Sequence, residues 1–111
     1  AGFHEWAAFC AQQSAEKAVK GLLQSLSGSA RGHSITGLLQ GLRARIEVPD
    51  AVMEAGRELD QVYVTARYPN GFAEGSPGDY FSETTSKRLL EHARSVVAFC
   101  RSQISRSGQG T

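Results

Sequence analysis

The stretch FHEWAAFCAQQSAEKAVKGLLQSL, residues 3–26, decides the fold class of this chain. Read with a period of about 3.6 residues, it places small and apolar side chains on one stripe, which predicts a helix from Phe3 to about Leu26. The stripe consists of Ala7, Cys10, Ala11, Ser14, Ala15, Ala18, Val19, Leu22 and Leu26. Its middle is built of small residues, so a neighbouring helix can approach closely there. The Ser-Gly-Ser run at 27–29 should end the helix.

Two further helices follow with the same period. The second is predicted from about Ser34 to Arg45, with His33 or Ser34 in the N-cap region, where a short polar side chain can accept a backbone hydrogen bond. The third starts at Pro49, a residue suited to the first helical position. Pro69 should end it, because the residue before a proline avoids helical geometry.

A long loop and a fourth helix complete the pattern. Residues 67–81 contain three Gly, two Pro and four aromatic residues, and a connection of this length in a small domain is often functional. Ser82 is a candidate N-cap for the fourth helix, and residues 107–111 are predicted to be a disordered tail. Four amphipathic helices without an alternating strand pattern predict an all-α fold, an antiparallel up-and-down bundle of four to five helices, in a single domain over residues 1–106.

The charges are distributed unevenly along the chain. The overall net charge of +1 argues against bulk electrostatic capture of nucleic acid. However, residues 1–45 carry a net +3, residues 46–83 a net −6 and residues 84–111 a net +4. Two interpretations are open: the acidic and basic segments are neighbours that neutralise each other, or a basic face binds a polyanion.

The cysteines and histidines favour a cytoplasmic protein without a metal. Cys10 and Cys100 lie within apolar helical patterns, which favours two small buried side chains in a reducing compartment. The three histidines lack the paired spacing of a zinc site, so no metal and no cofactor are predicted. No apolar run approaches the ~18 residues of a transmembrane helix, so no membrane association is predicted either.

Three segments, in this order and spacing, resemble the HEPN family, named for its nucleotide-binding members in higher eukaryotes and prokaryotes. Residues 3–20 are similar to its first-helix pattern of an aromatic residue and Trp, then Gln-Gln, then Ala-Glu-Lys-Ala and a Lys. Residues 32–39 are similar to its His before a Leu-rich helix. Residues 59–70 are similar to its Leu-Asp, Tyr and Arg-Tyr-Pro signature, and residues 77–81 look like the segment before its fourth helix.

The resemblance, which covers residues 3–105, implies a helical bundle that is usually a homodimer. It also implies frequent pairing with a minimal nucleotidyltransferase, encoded separately or fused. The family pattern begins a turn or two earlier and this chain begins with Ala1. We therefore expect a first helix truncated at its start, and a place within a longer polypeptide, as in sacsin-like proteins, is compatible with that.

Five residues are candidate contacts for a nucleotide such as ATP or GTP, or for RNA: Lys17, Lys20, His33, Arg67 and Tyr68. Arg67 can hold a phosphate through its planar guanidinium, and Tyr68 can stack on a base. The alternative is structural, with Arg67 paired to Asp60 and Tyr68 packed on the bundle. His33 has a similar alternative as a capping or loop histidine.

The first helix also carries a mixed aromatic and polar face that is a candidate interface. Trp6, Phe9 and Gln13 lie on it together with the lysines, which favours a dimer or ligand surface. The alternative is a solvated face with a Glu16–Lys20 ion pair at i, i+4.

A ribonuclease is the enzymatic alternative; the sequence favours a non-enzymatic role and leaves the enzyme open as the other. A metal-independent toxin branch of the family carries Arg, about four to six intervening residues, then His. Here Arg88 and His92 have only three residues between them. Three hypotheses result: a non-catalytic nucleotide-binding and dimerisation domain, a ribonuclease using Arg88 and His92, and a purely structural dimerisation module.

Overall fold

The structure, a computed structural model, is helical over most of the residues that it describes. It describes the backbone of residues 3–32, 34–67 and 82–109, and the side chains of these residues except 63–67 and 107–109. The described residues form four helices, and none of them is in a strand. The helices are α1 (Phe3–Ser25), α2 (Ile35–Arg43), α3 (Asp50–Arg67) and α4 (Glu83–Gln109). The predicted all-α bundle is confirmed.

Short polar side chains start α2 and α4, as predicted. The Ser34 hydroxyl accepts a hydrogen bond from the Gly37 backbone N–H at 3.0 Å, and the Ser82 hydroxyl accepts one from the Thr85 N–H at 3.1 Å. These bonds satisfy donors that have no partner within the helix. His33, the other predicted capping residue, lies outside the described residues.

The C-terminal end of α1 is where the sequence predicts it, whereas α4 extends further than predicted. α1 ends in a Schellman motif, with Ser27 at a φ of 63° and the Gly28 N–H donating to the Leu23 carbonyl at 2.8 Å. This turn falls at the predicted Ser-Gly-Ser break. α4 continues to Gln109 and so extends into the segment from Ser107 that the sequence predicts to be a tail.

Helices α1 and α4 lie side by side and run in the same direction. His4 and Ser86, each near the start of its helix, approach to 3.3 Å between Nδ1 and Oγ. Leu26 and Arg106, near the other ends, line one cleft together with Asp50, the first residue of α3. The predicted antiparallel order therefore holds for α3 against its neighbours, whereas α1 and α4 form a parallel pair.

The connection between α1 and α2 accounts for this arrangement. Asp60 contacts the start of α2 and Asp50 contacts Arg43 at its end, so α2 is antiparallel to α3 and runs parallel to α1. Residues 26–34 can span up to about 30 Å when extended. The nine-residue α2 is only about 13 Å long. The extended segment 26–34 is therefore long enough to return along α1, so that α2 can run in the same direction as α1.

All four helices contribute buried side chains to one core, and α2 packs tightly against α3 at Gly56. A Cβ atom added there would lie 2.8 Å from Leu39 Cδ1 and 3.2 Å from Ile35 Cγ2. From α1 the core takes Ala8, Ala11, Ala15, Val19, Leu22 and Leu23. Within the described ranges, no helix combines the length and apolar character needed to cross a bilayer.

The two cysteines have different environments. Cys100 is buried, as predicted, and burial raises the pKa of its thiol to about 11. Cys10 is exposed, so the prediction that it is a buried side chain is wrong. The core face of α1 is turned by about one residue from the predicted stripe, because Gln12 and Glu16 lie on the buried side. Counting apolar residues alone could not show this.

Candidate functional site

A polar network lies on one flank of α1, where Gln12 and Glu16 are both buried. Gln12 Nε2 donates to Glu16 Oε1 at 3.2 Å, and Lys20 Nζ donates to Glu16 Oε2 at 3.1 Å. Gln13 Nε2 donates to Gln12 Oε1 at 2.7 Å. Two of these hydrogen bonds end on the Glu16 carboxylate and are charge-assisted, so they supply partners for a charge held in a largely apolar setting.

This network separates the two predicted phosphate-binding lysines. The ammonium group of Lys20 forms the predicted ion pair with Glu16, at 3.1 Å. Lys17 is exposed and makes no ion pair with any side chain that the structure describes. Of the two, Lys17 is therefore the cation that can reach a ligand without breaking an existing contact.

Of the remaining predicted ligand residues, Arg67 and Tyr68 fall at and just after the end of α3, and His33 precedes α2 in the chain. His33 and Tyr68 lie outside the described residues, and so does the side chain of Arg67. The backbone places Arg67 at the last position of α3. Because α3 is antiparallel to α1 and α4, this position lies at the end of the bundle where those two helices start. Lys20 lies in the other half of α1, so the structure does not bring Lys20 and Arg67 to one level.

Asp60 holds the start of α2 across the interface between α2 and α3. Its Oδ1 accepts a hydrogen bond from the Ile35 N–H at 2.7 Å, and its Oδ2 accepts from the Thr36 N–H at 3.0 Å and from Ser34 Oγ at 3.1 Å. A carboxylate is favoured at a helix N-terminus because the free N–H groups carry partial positive charge. The sequence pattern predicts Asp60 only as a partner of Arg67 and does not indicate this role.

The start of α1 presents large aromatic side chains to solvent. Trp6 is 63% exposed and Phe3 is 78% exposed. The Trp6 and Phe9 rings stack with centroids 6.0 Å apart and planes 26° from parallel. Adjacent exposed aromatic side chains are typical of a recognition surface rather than of a solvated face. Gln13, the third predicted interface residue, is half-buried beside them and is held by Gln12.

Arg88 and His92 lie four residues apart on α4, hence on neighbouring turns of one face. Arg88 is exposed and His92 is half-buried. Neither makes a side-chain hydrogen bond or ion pair with the part of the chain that is described. Over the same residues, no group of three or more His, Cys, Asp or Glu side chains comes together to hold a metal ion.

These features define a class of protein: a small all-α bundle with exposed aromatic side chains at the start of its first helix. The chain belongs to the HEPN family, since the family model for the HEPN domain matches residues 1–103. No curated protein sequence is significantly similar to it.

Solved structures with the same fold are similar over most of their length. A protein from Thermus thermophilus shares 36% identity with a TM-score of 0.81, over 88% of this chain and 77% of that one. An archaeal HEPN homologue shares 36% identity with a TM-score of 0.75, over 93% and 80%. A HEPN domain protein from Thermotoga maritima shares 35% identity with a TM-score of 0.75, over 95% and 82%.

Proposed function

We propose that this HEPN domain is a non-catalytic, nucleotide-binding homodimer that works with a nucleotidyltransferase partner or within a larger protein. The observation that carries the proposal is the exposed aromatic face formed by Phe3, Trp6 and Phe9. Burying apolar surface gains about 25 cal/mol per Å², and Trp is among the residues that contribute most to binding at interface centres. The face is therefore suited to contact a second copy of the chain.

Trp6→Glu should weaken dimerisation by about 30-fold or more, because it removes a large aromatic anchor and places a charge in the interface. Its effect on monomer stability should be small, since Trp6 is largely exposed. Sedimentation velocity over a concentration series measures the dissociation constant. Gln24→Glu is the matched control, because it adds the same charge at an exposed position near the other end of α1. A parent protein that stays monomeric at every concentration would exclude the dimer.

Several features at the same end of the bundle support a nucleotide site. The Arg-Tyr-Pro segment at 67–69 begins where α3 finishes, and the stacked Trp6 and Phe9 rings lie near the start of α1 at that end. A guanidinium can pair with phosphate oxygens and an aromatic ring can stack on a base. We assign Arg67 and Tyr68 as the main ligand residues at this end. Lys17, an accessible cation in the second half of α1, is a further candidate, as are Lys20 and His33.

Arg67→Ala should weaken the binding of ATP or GTP by at least about 10-fold, because a charge-assisted hydrogen bond is lost. Isothermal titration calorimetry, with and without magnesium, measures the affinity. Arg57→Ala serves as the control, since this exposed arginine of α3 pairs with Glu54 on the same helix. If millimolar nucleotide gives no heat with the parent, the nucleotide part of the proposal fails while the dimer part stands.

A ribonuclease is the second candidate, favoured by one observation: Arg88 and His92 share a face of α4 with no other polar partner among the described side chains. In such chemistry the imidazole moves a proton while the guanidinium stabilises charge on the phosphorus centre. Cleavage of an RNA oligonucleotide by the parent, abolished in His92→Ala, would replace the non-catalytic proposal.

A further inference from the structure

A shallow groove of about 600 Å³ runs between α1 and α4. Its floor is made of small and aliphatic side chains, among them Ala11, Ser14, Ala93 and Val97, and Arg94 and Arg101 stand on its α4 side. It contains none of the aromatic residues of the Phe3, Trp6 and Phe9 face, so the two surfaces can be changed independently.

Arg94 and Arg101 bring positive charge that the described part of the molecule does not neutralise. Both side chains are exposed, and neither forms an ion pair with a described residue. The ion pair of α4, between Lys87 and Glu83 at 3.2 Å, is local to that helix, and that of α3, between Arg57 and Glu54, is local as well. The acidic and basic segments do meet at one described ion pair, between Arg43 and Asp50 at 2.8 Å, but the described side chains form no ion pair between α3 and α4.

The spacing of the two arginines restricts what can occupy the groove. They are seven residues apart, so they lie on one face of α4, separated by roughly 10 Å along its axis. Two carboxylates seven residues apart on a second helix have the same separation. A floor of small side chains lets a helix backbone approach closely, as helix packing at about 8–10 Å requires.

We infer that this groove docks an amphipathic helix of a partner protein, with small apolar residues on the floor and two acidic residues facing Arg94 and Arg101. A second copy of this chain fits poorly, because a two-fold axis through the groove would bring four arginines together. Single-stranded nucleic acid also fits poorly, because the described residues that line the groove include no aromatic side chain on which a base can stack. The inference does not depend on the proposed nucleotide site or on the dimer face.

The test uses a synthetic helical peptide of about 21 residues, with Ala and Leu on one face and Glu at every seventh position along its edge. Fluorescence anisotropy should show binding to the parent, weakened at least ~10-fold in the double variant Arg94→Glu/Arg101→Glu. A peptide with Lys in place of Glu should bind that double variant and not the parent. Ala98→Trp, which fills the groove without changing its charge, should weaken binding of the Glu peptide as well.

The matched control is Arg31→Glu/Arg57→Glu, which changes the net charge equally at exposed positions outside the groove and should leave affinity within about twofold. Equal binding of the Glu peptide by the parent and the groove variant overturns the inference. The inference is also overturned if the parent binds no peptide and the groove variant changes in self-association. That result would assign the groove to a second copy of the chain. Binding of a single-stranded RNA oligonucleotide that the groove variant loses, with no peptide binding by the parent, would assign it to nucleic acid.

Discussion

Asp60→Ala should lower the free energy of unfolding by about 3 kcal/mol. The substitution removes the acceptor for the N–H groups of Ile35 and Thr36, 2.7 and 3.0 Å away, and the Ile35 residue is buried. Hydrogen bonds to charged groups contribute about 1.5–3 kcal/mol each, and a buried donor left without a partner costs a similar amount. A small domain is stable by only about 5–15 kcal/mol, so the loss would be large. Urea unfolding followed by circular dichroism measures it.

Two further variants separate this capping role from a general effect of charge. Asp60→Asn keeps one carbonyl acceptor and should lose about half as much stability as Asp60→Ala. Glu54→Ala removes an exposed carboxylate of the same helix, whose partner is Arg57, and should cost below about 1 kcal/mol. If Asp60→Ala costs less than about 1 kcal/mol, the start of α2 is held by the packing of Ile35 and Leu39 alone.

The positions that the sequence predicted well are those determined by local chemistry. The N-caps at Ser34 and Ser82 and the break after α1 depend on residues a few positions apart, so a local pattern contains the necessary information. The direction of α2 depends instead on the path of residues 26–34 and on contacts with α3. These are long-range effects that the period of the sequence does not show.

The residues of the candidate site likewise fall into those that the local sequence predicts and those that depend on distant residues. The Trp6 and Phe9 face could be predicted, because large aromatic residues outside an apolar stripe are visible in the sequence. The role of Asp60 could not, since its partners lie 24 to 26 residues away in the chain. The burial of Glu16 was missed for a related reason: polar residues are assigned to the surface unless a buried network is known to satisfy them.

Glu16→Ala should lower the free energy of unfolding by about 2–3 kcal/mol. The fully buried Gln12 amide would lose its acceptor at 3.2 Å, and Lys20 would lose its counter-ion at 3.1 Å. Removing one partner of a buried ion pair costs about 3–5 kcal/mol. The Lys20 side chain is 27% exposed and can turn toward water, which reduces the cost. Thermal and urea unfolding of the purified variant measure the change.

Lys20→Ala and Glu16→Gln show whether this network serves the fold or the ligand. Lys20→Ala should cost below about 1 kcal/mol, and Glu16→Gln should cost about 1 kcal/mol because the amide oxygen still accepts from Gln12. Glu16→Gln also releases the Lys20 ammonium from its counter-ion. If nucleotide affinity rises in Glu16→Gln and falls in Lys20→Ala, Lys20 is a phosphate ligand whose ammonium group Glu16 and the phosphate compete to bind. An affinity unchanged in both would assign Lys20 to the fold and leave Lys17 and Arg67 as the cations that contact phosphate.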